Sequence, residues 1–209
     1  MSKYQNPGED LRESVLVMQT PIILASASPR RRELLAAAGI PFTVEAADID
    51  EVMTAVETAA DIACRLARSK AEHVSRRYPD RIILGADTIV SLAGRIFGKP
   101  RSMAEAVGFI EQLSGQSHEV ITGVCLTRRQ PAQTVVWFAT TTVNFHRLAK
   151  AEITDYVKRR RPLDKAGAYA IQEDEALLVA GLSGLRSNVI GLPVEEVAAR
   201  LSTFDVDIG

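Results

Sequence analysis

Three arginines, Arg30-Arg31-Arg32, follow Ser26-Ala27-Ser28-Pro29 at a point where a helix is expected to begin. Exposed cations in a helix's first turn oppose its dipole, at about 0.3–1 kcal/mol each. An anion bound there reverses the penalty, because backbone N–H groups and guanidinium forks converge on it; the alternative is a solvated basic turn. Gly85-Ala86-Asp87-Thr88 places a carboxylate and a hydroxyl just after an expected buried strand, where ligands of open α/β sheets collect. Asp87 has the chemistry of a metal ligand, of a general base toward water, or of both through one bound water. The alternative is a carboxylate that only ties down a tight turn. Lys99, held between Gly98 and Pro100, can meet a phosphate as a point charge. Taken singly, Lys99 and Lys70 read equally as surface lysines. The run Lys165-Ala166-Gly167-Ala168-Tyr169-Ala170-Ile171-Gln172 combines a cation, small residues and an amide that can pair with both donor and acceptor positions on a base edge. A turn plus strand with an incidental Gln is the plainer reading.

These groups need elements to hold them. Ile22-Ile23-Leu24 reads as a buried strand, followed by a helix with Ser28 as N-cap, Pro29 at its first position and Gly39 as its stop. Phe42–Val44 reads as a strand leading into the acidic loop Asp48-Ile49-Asp50-Glu51. Ile62, Leu66, Ala67 and Val74 mark one face of a helix from about Ala59 to Arg77. Arg81–Leu84 is a short strand, and Ile89–Leu92 with Arg95–Phe97 form a hairpin about Ala93-Gly94. Ser102 and Glu105 make a capping box for a helix to Leu113. Long antiparallel strands are expected over Glu119–Leu126 and Thr134–Phe145, then helices over Glu152–Lys158 and Val194–Ser202. The expected class is α/β, a mixed sheet with flanking helices and a central cleft. Residues 1–19 are expected to be a flexible extension, and 20–209 a single domain of two lobes around that cleft.

Composition narrows the function. With 46% hydrophobic and 24% charged residues, the 209-residue chain has ordinary globular composition. A net charge of −1 argues against a general nucleic-acid binder. The cluster Lys158-Arg159-Arg160-Arg161 complements a helix C-terminus; as a nucleic-acid patch it would instead predict salt-sensitive binding. Cys64 and Cys125, like His73, His118 and His146, lack metal-ligand spacing, and the thiols are expected to be reduced. Val15–Met18 is too short for a signal core or a membrane span. A cytoplasmic protein without membrane partners is expected.

Taken together, Leu24–Arg31, Gly85–Thr88, Gly98–Pro100, Leu113–Gly115, Ile121–Val124, Asp164–Tyr169 and Gly191–Pro193 strongly resemble the Maf family of nucleotide pyrophosphatases in order and spacing, over about residues 21–203. The resemblance implies a fold similar to the inosine triphosphate pyrophosphatases (Maf/Ham1 folds) and metal-dependent hydrolysis of a nucleoside triphosphate to the monophosphate and pyrophosphate. It implies a divalent cation (Mg²⁺, Mn²⁺ or Co²⁺) and a homodimer. By motif, Asp87 would be the general base; Ser26, Arg31, Lys70 and Lys99 would bind phosphates, with Lys165 also in the substrate site; Glu51 and Asp87 would hold the metal. Arg30, Thr88 and Gln172 side with the family's dTTP/UTP group, whereas members acting on 7-methylguanosine triphosphate tend to carry Trp, Gln and Glu there. The expected substrates are dTTP, UTP and modified pyrimidine nucleotides. The alternatives are a 7-methylguanosine triphosphate enzyme and a nucleotide-binding regulator of cell division or septum formation. The chain departs from the family at Ala170 and Glu173, where Gly is usual, and the acidic run Glu173-Asp174-Glu175 is expected to alter the pocket rim or repel a triphosphate.

Overall fold

Apolar, β-branched runs separated by amphipathic helices give the alternation seen in the computed structural model, which describes residues 20–49 and 57–204. The expected extension (1–19) and the part of the acidic loop that holds Glu51 lie outside the described residues. Among them, seven strands form one mixed sheet in the order β2-β1-β3-β5-β6-β7, with β4 paired to β3. Strands β1 (Ile22–Leu24), β2 (Phe42–Val44) and β3 (Ile83–Leu92) run parallel. Strands β4 (Arg95–Phe97), β5 (Ser117–Arg129), β6 (Ala132–Phe145) and β7 (Val179–Ser183) pair antiparallel to their neighbours.

Helix α1 (Pro29–Ala37) starts at the expected proline, although the Ser28 side chain makes no cap hydrogen bond. Helix α2 (Ala59–Ser75) opens on a capping box between Thr58 and Asp61 and buries Ile62, Leu66, Ala67 and Val74. Leu84, Ala86, Val124 and Leu126 fill one face of the sheet with Leu35, Val197 and Leu201. On the other face, α2 packs on Ile23, Ile83, Ile89 and Ile121. A further cluster joins β4 and the far ends of β5 and β6 to α3 (Met103–Leu113) and α4 (Lys150–Arg160).

Two sequence expectations change. Strand β3 does not stop at Leu84: Gly85–Thr88 continues it, because β5 supplies an antiparallel partner at every position from Ile83 to Ser91. Beyond Tyr169, the chain forms a helix instead of a strand, α5 (Ile171–Leu178), and only then β7. Asn188–Ile190 lies inside a short helix, α6 (Arg186–Ile190), ahead of α7 (Val194–Leu201).

Candidate active site

The site lies at a gap in the sheet. Strand β1 pairs with β3 only at Ile83 and Leu84, and β4 joins the same edge from Val90 onward. The edge of β3 around Asp87 and Thr88 therefore lacks a strand partner, and a cleft of about 520 Å³ opens over it. Alternation along β3 sends Asp87 toward the α2 face and Thr88 toward the opposite face. The gap lets both line one cleft.

Asp87 Oδ1 accepts a hydrogen bond from Lys70 Nζ at 2.6 Å, and both residues are only 8% exposed. This meeting depends on two glycines. A Cβ on Gly85 would overlap the Ala67 carbonyl oxygen, and one on Gly123 would overlap the Ala63 backbone. Helix α2 thus lies directly on the sheet, with Lys70 one turn beyond Ala67 and Asp87 two residues beyond Gly85.

Arg31 turns inward from the first turn of α1 and is 8% exposed. Its Nε donates to the Gly191 carbonyl (2.8 Å), Nη1 to Ser26 Oγ (3.0 Å) and Nη2 to Thr88 Oγ1 (3.1 Å). The expectation of guanidinium forks converging on an anion is thereby modified. Much of Arg31's donor capacity goes to protein acceptors, which hold it at the cleft wall. Arg30 is half-buried and Arg32 exposed.

The opposite rim comes from the segment before α5. Lys165 Nζ reaches Asp164 Oδ1 at 2.9 Å and Glu173 Oε1 at 3.4 Å, while Arg30 Nη1 stands 4.0 Å from Asp164 Oδ2. Burial pushes the Asp164 carboxyl up, but the Lys165 hydrogen bond and charge, with Arg30, outweigh it and hold the group below its ordinary value. Gln172 lies in the first turn of α5, and Lys99 is exposed just beyond β4; both line the cleft. The acidic run is paired: Arg160 reaches Asp174 and Arg186 reaches Glu175, each at 2.6 Å.

The cleft thus gathers Ser26, Arg30, Arg31, Lys70, Asp87, Thr88, Lys99, Lys165 and Gln172. Of the expected site residues, Glu51 alone lies outside the described residues. No group of three or more His, Cys, Asp or Glu side chains that could hold a metal occurs among the described residues. The donor chemistry nevertheless suits a hard divalent cation. Asp87 brings a carboxylate into the cleft, and Mg²⁺ usually completes a shell of one or two carboxylates with substrate phosphates and water.

Around the cleft are residues to which the sequence reading gave no role of their own. Thr122 Oγ1 lies 3.0 Å from Thr88 Oγ1 and donates to the Asn188 carbonyl at 3.1 Å. His118 Nε2 and Tyr169 Oη are 2.8 Å apart, packed edge-on against Phe145. A hydroxyl and an imidazole inside the apolar pattern of β5 were the available signals.

Known proteins resemble this chain over nearly all of its described length. Residues 21–204 match the family described as Maf-like protein. The dTTP/UTP pyrophosphatase of Myxococcus xanthus is 50% identical over 183 residues, 88% of this chain and 92% of that protein. The dTTP/UTP pyrophosphatases of Symbiobacterium thermophilum and Bacillus anthracis are 46% and 42% identical over 187 residues, 90% of this chain and 95% and 97% of those proteins. The Ham1 protein of Staphylococcus aureus superposes with a TM-score of 0.53 over 88% of this chain and 100% of its own, at 14% identity. That likeness is one of fold, and it agrees with the architecture expected from the sequence. With most of its length matched by the family and by close relatives, the chain belongs to the Maf family.

Proposed function

We propose that the protein hydrolyses nucleoside triphosphates, dTTP and UTP foremost, to the monophosphate and pyrophosphate. The observation that carries this reading is the single cleft in which an Asp87–Lys70 pair faces a wall of cations. The names of its relatives support the substrate.

In this reading Asp87 takes a proton from water as the water oxygen attacks the α-phosphorus. The bond from the α-phosphorus to the bridging oxygen breaks, and pyrophosphate leaves with the electron pair. Lys70 holds one Asp87 oxygen in place and keeps the carboxylate aimed. Arg31, Ser26, Lys99 and Lys165 bind the phosphate chain and offset charge developing on the leaving group. When bound, a divalent cation supplies Lewis-acid neutralisation of the phosphate oxygens; Asp87 would hold it, with Glu51 as the further carboxylate. Magnesium, manganese or cobalt fits that role. Arg30, Thr88 and Gln172 form the base-selecting set.

The same reading has one domain from residue 20 onward with two lobes about the cleft, a homodimer and a cytoplasmic setting without nucleic-acid partners. No helix among the described residues is long and apolar enough to cross a membrane.

The test is pyrophosphate release from dTTP, UTP, CTP, 7-methylguanosine triphosphate and the purine triphosphates, with Mg²⁺ or Mn²⁺ and with EDTA. Metal-dependent release strongest on dTTP and UTP is expected. A preference for 7-methylguanosine triphosphate would overturn the specificity argument alone. Absence of release from every triphosphate would favour a binding or regulatory role.

A further inference from the structure

Proton counting in the buried network behind Arg31 fixes its direction. The Thr122 hydroxyl has one hydrogen and lies 3.1 Å from the Asn188 carbonyl, which can only accept. With that hydrogen committed, the 3.0 Å contact between Thr122 Oγ1 and Thr88 Oγ1 requires Thr88 to be the donor. The other outlet for the Thr88 hydrogen is the Gly191 carbonyl at 3.4 Å, beyond the ordinary O–H···O range and already occupied by Arg31 Nε. Thr88 Oγ1 then presents lone pairs to Arg31 Nη2 at 3.1 Å. The chain reads Arg31 N–H to Thr88 O–H to Thr122 O–H to Asn188 C=O. Its far end is anchored, because Asn188 Nδ2 donates to the Val120 carbonyl (2.9 Å) and to Thr141 Oγ1 (3.1 Å), whose hydroxyl donates to the Leu185 carbonyl (2.9 Å). Thr122, Thr141 and Asn188 have no exposed surface.

We infer that Thr122 is a positioning residue for the phosphate-binding wall: without touching substrate, it sets the orientation of Thr88 and, through Thr88, the plane of the Arg31 guanidinium. A hydroxyl relay of this kind makes Arg31 a pre-oriented donor, so the cleft need not spend binding energy arranging it. A methyl in place of Thr122 Oγ1 would remove the acceptor for Thr88 and crowd its oxygen. Thr88 would be left to swing toward Gly191, and Arg31 Nη2 would lose its fixed acceptor. The inference rests on the pyrophosphatase reading in one respect, that Arg31 meets the phosphates.

The experiment compares Thr122→Val, close in shape but without a hydroxyl, with Thr122→Ser, which keeps it. Two readouts are taken: kcat/KM on dTTP with Mg²⁺, and the Kd of inorganic triphosphate measured by calorimetry in EDTA. Thr122→Val is expected to weaken both by roughly ten- to a hundredfold, and Thr122→Ser to stay within a few fold of wild type. If Thr122→Val does not fold, Thr122→Ala removes the same hydroxyl without the added methyl. A hydroxyl-free variant that keeps both values overturns the inference, as does an equal loss in the serine variant. Wild type inactive on every nucleotide, with triphosphate binding still lost in Thr122→Val, would sink the functional reading and leave this inference standing. Wild type that neither turns over dTTP nor binds triphosphate sinks both.

Discussion

The floor and the rim of the cleft are built on different principles. On the floor, Ser26, Arg31, Lys70 and Asp87 are each 8% exposed and held by side-chain bonds, among them Lys70 to Asp87 between α2 and β3 and Arg31 to Gly191 far along the chain. At the rim, Lys165 is as buried as these, but its partner Asp164 has a side chain 69% exposed, Arg30 approaches that carboxylate only to 4.0 Å, and Lys165 divides its charge between Asp164 and Glu173. The rim backbone is irregular as well: Gly167 is left-handed at φ 67°, and Asp174 interrupts α5 with non-helical angles. Buried ionic and hydrogen-bonded groups keep one geometry, because leaving any of them unpaired is costly. Exposed pairs contribute about 0–1 kcal/mol and rearrange readily. The floor is therefore suited mainly to what all triphosphates share, and the rim, with Thr88 at the floor's edge, to telling bases apart.

The sharpest way to break this division is Asp87→Asn. The amide still accepts the Lys70 hydrogen bond, so the fold should persist by circular dichroism. Pyrophosphate release should fall by about 10²–10⁴-fold on every nucleotide alike. Near-wild-type turnover would move the base elsewhere, with Glu51 the first suspect.

Next in size is the support behind the rim. Burial pushes the His118 imidazole down to about 4 from 6.5. The unfolded chain takes up this proton near pH 6.5 and the folded chain only near 4. Stability from this residue is thus full above pH 6.5 and is lost as pH falls toward 4, by about 3 kcal/mol in all. Urea unfolding of wild type and His118→Gln across that window should show a shallower acid loss in the variant. Parallel curves would mean that a neutral imidazole is not what anchors Tyr169.

Gln172→Glu tests the rim as selector: the ratio of dTTP to 7-methylguanosine triphosphate turnover should fall by about tenfold, with little change in metal dependence. An unchanged ratio removes Gln172 from the selecting set. The smallest effect is expected for Glu173→Gln, which leaves Lys165 to Asp164 and the substrate. A two- to threefold lower KM, the scale of a weak 3.4 Å ion pair with one partly exposed member, is expected on all triphosphates; a higher KM would assign the Glu173 carboxylate a direct role in binding.

The elements that carry the floor were legible in the sequence from local signals (an apolar strand, a proline-started helix and a helix with one apolar face), whereas Lys70 by itself read equally as a surface lysine and entered the site only through the family resemblance. What escaped was tertiary. Gly85–Thr88 looks like a turn by composition, yet the pairing of β5 with β3 keeps it extended, and that is what presents Asp87 and Thr88 to opposite faces. Glu173-Asp174-Glu175 reads as free acidic charge until Arg160 and Arg186, brought from α4 and α6, are seen to pair with it. Helix α5 has no strong apolar period, so its contacts settle its conformation. The Thr122 relay could not be read at all, since its members lie on four elements and their order is fixed by distances.

Helix α2 rests on the sheet where Gly85 and Gly123 carry only hydrogens. Neither glycine lines the cleft, and neither has a group that could touch a nucleotide. Yet a single methyl at either position would lift the helix and draw the Lys70 ammonium away from the Asp87 carboxylate. The damage would look like the loss of an enzyme whose reacting groups are all present. In a catalogue of tolerated substitutions these two positions would pass for catalytic residues, and their apparent importance would be a measure of spacing.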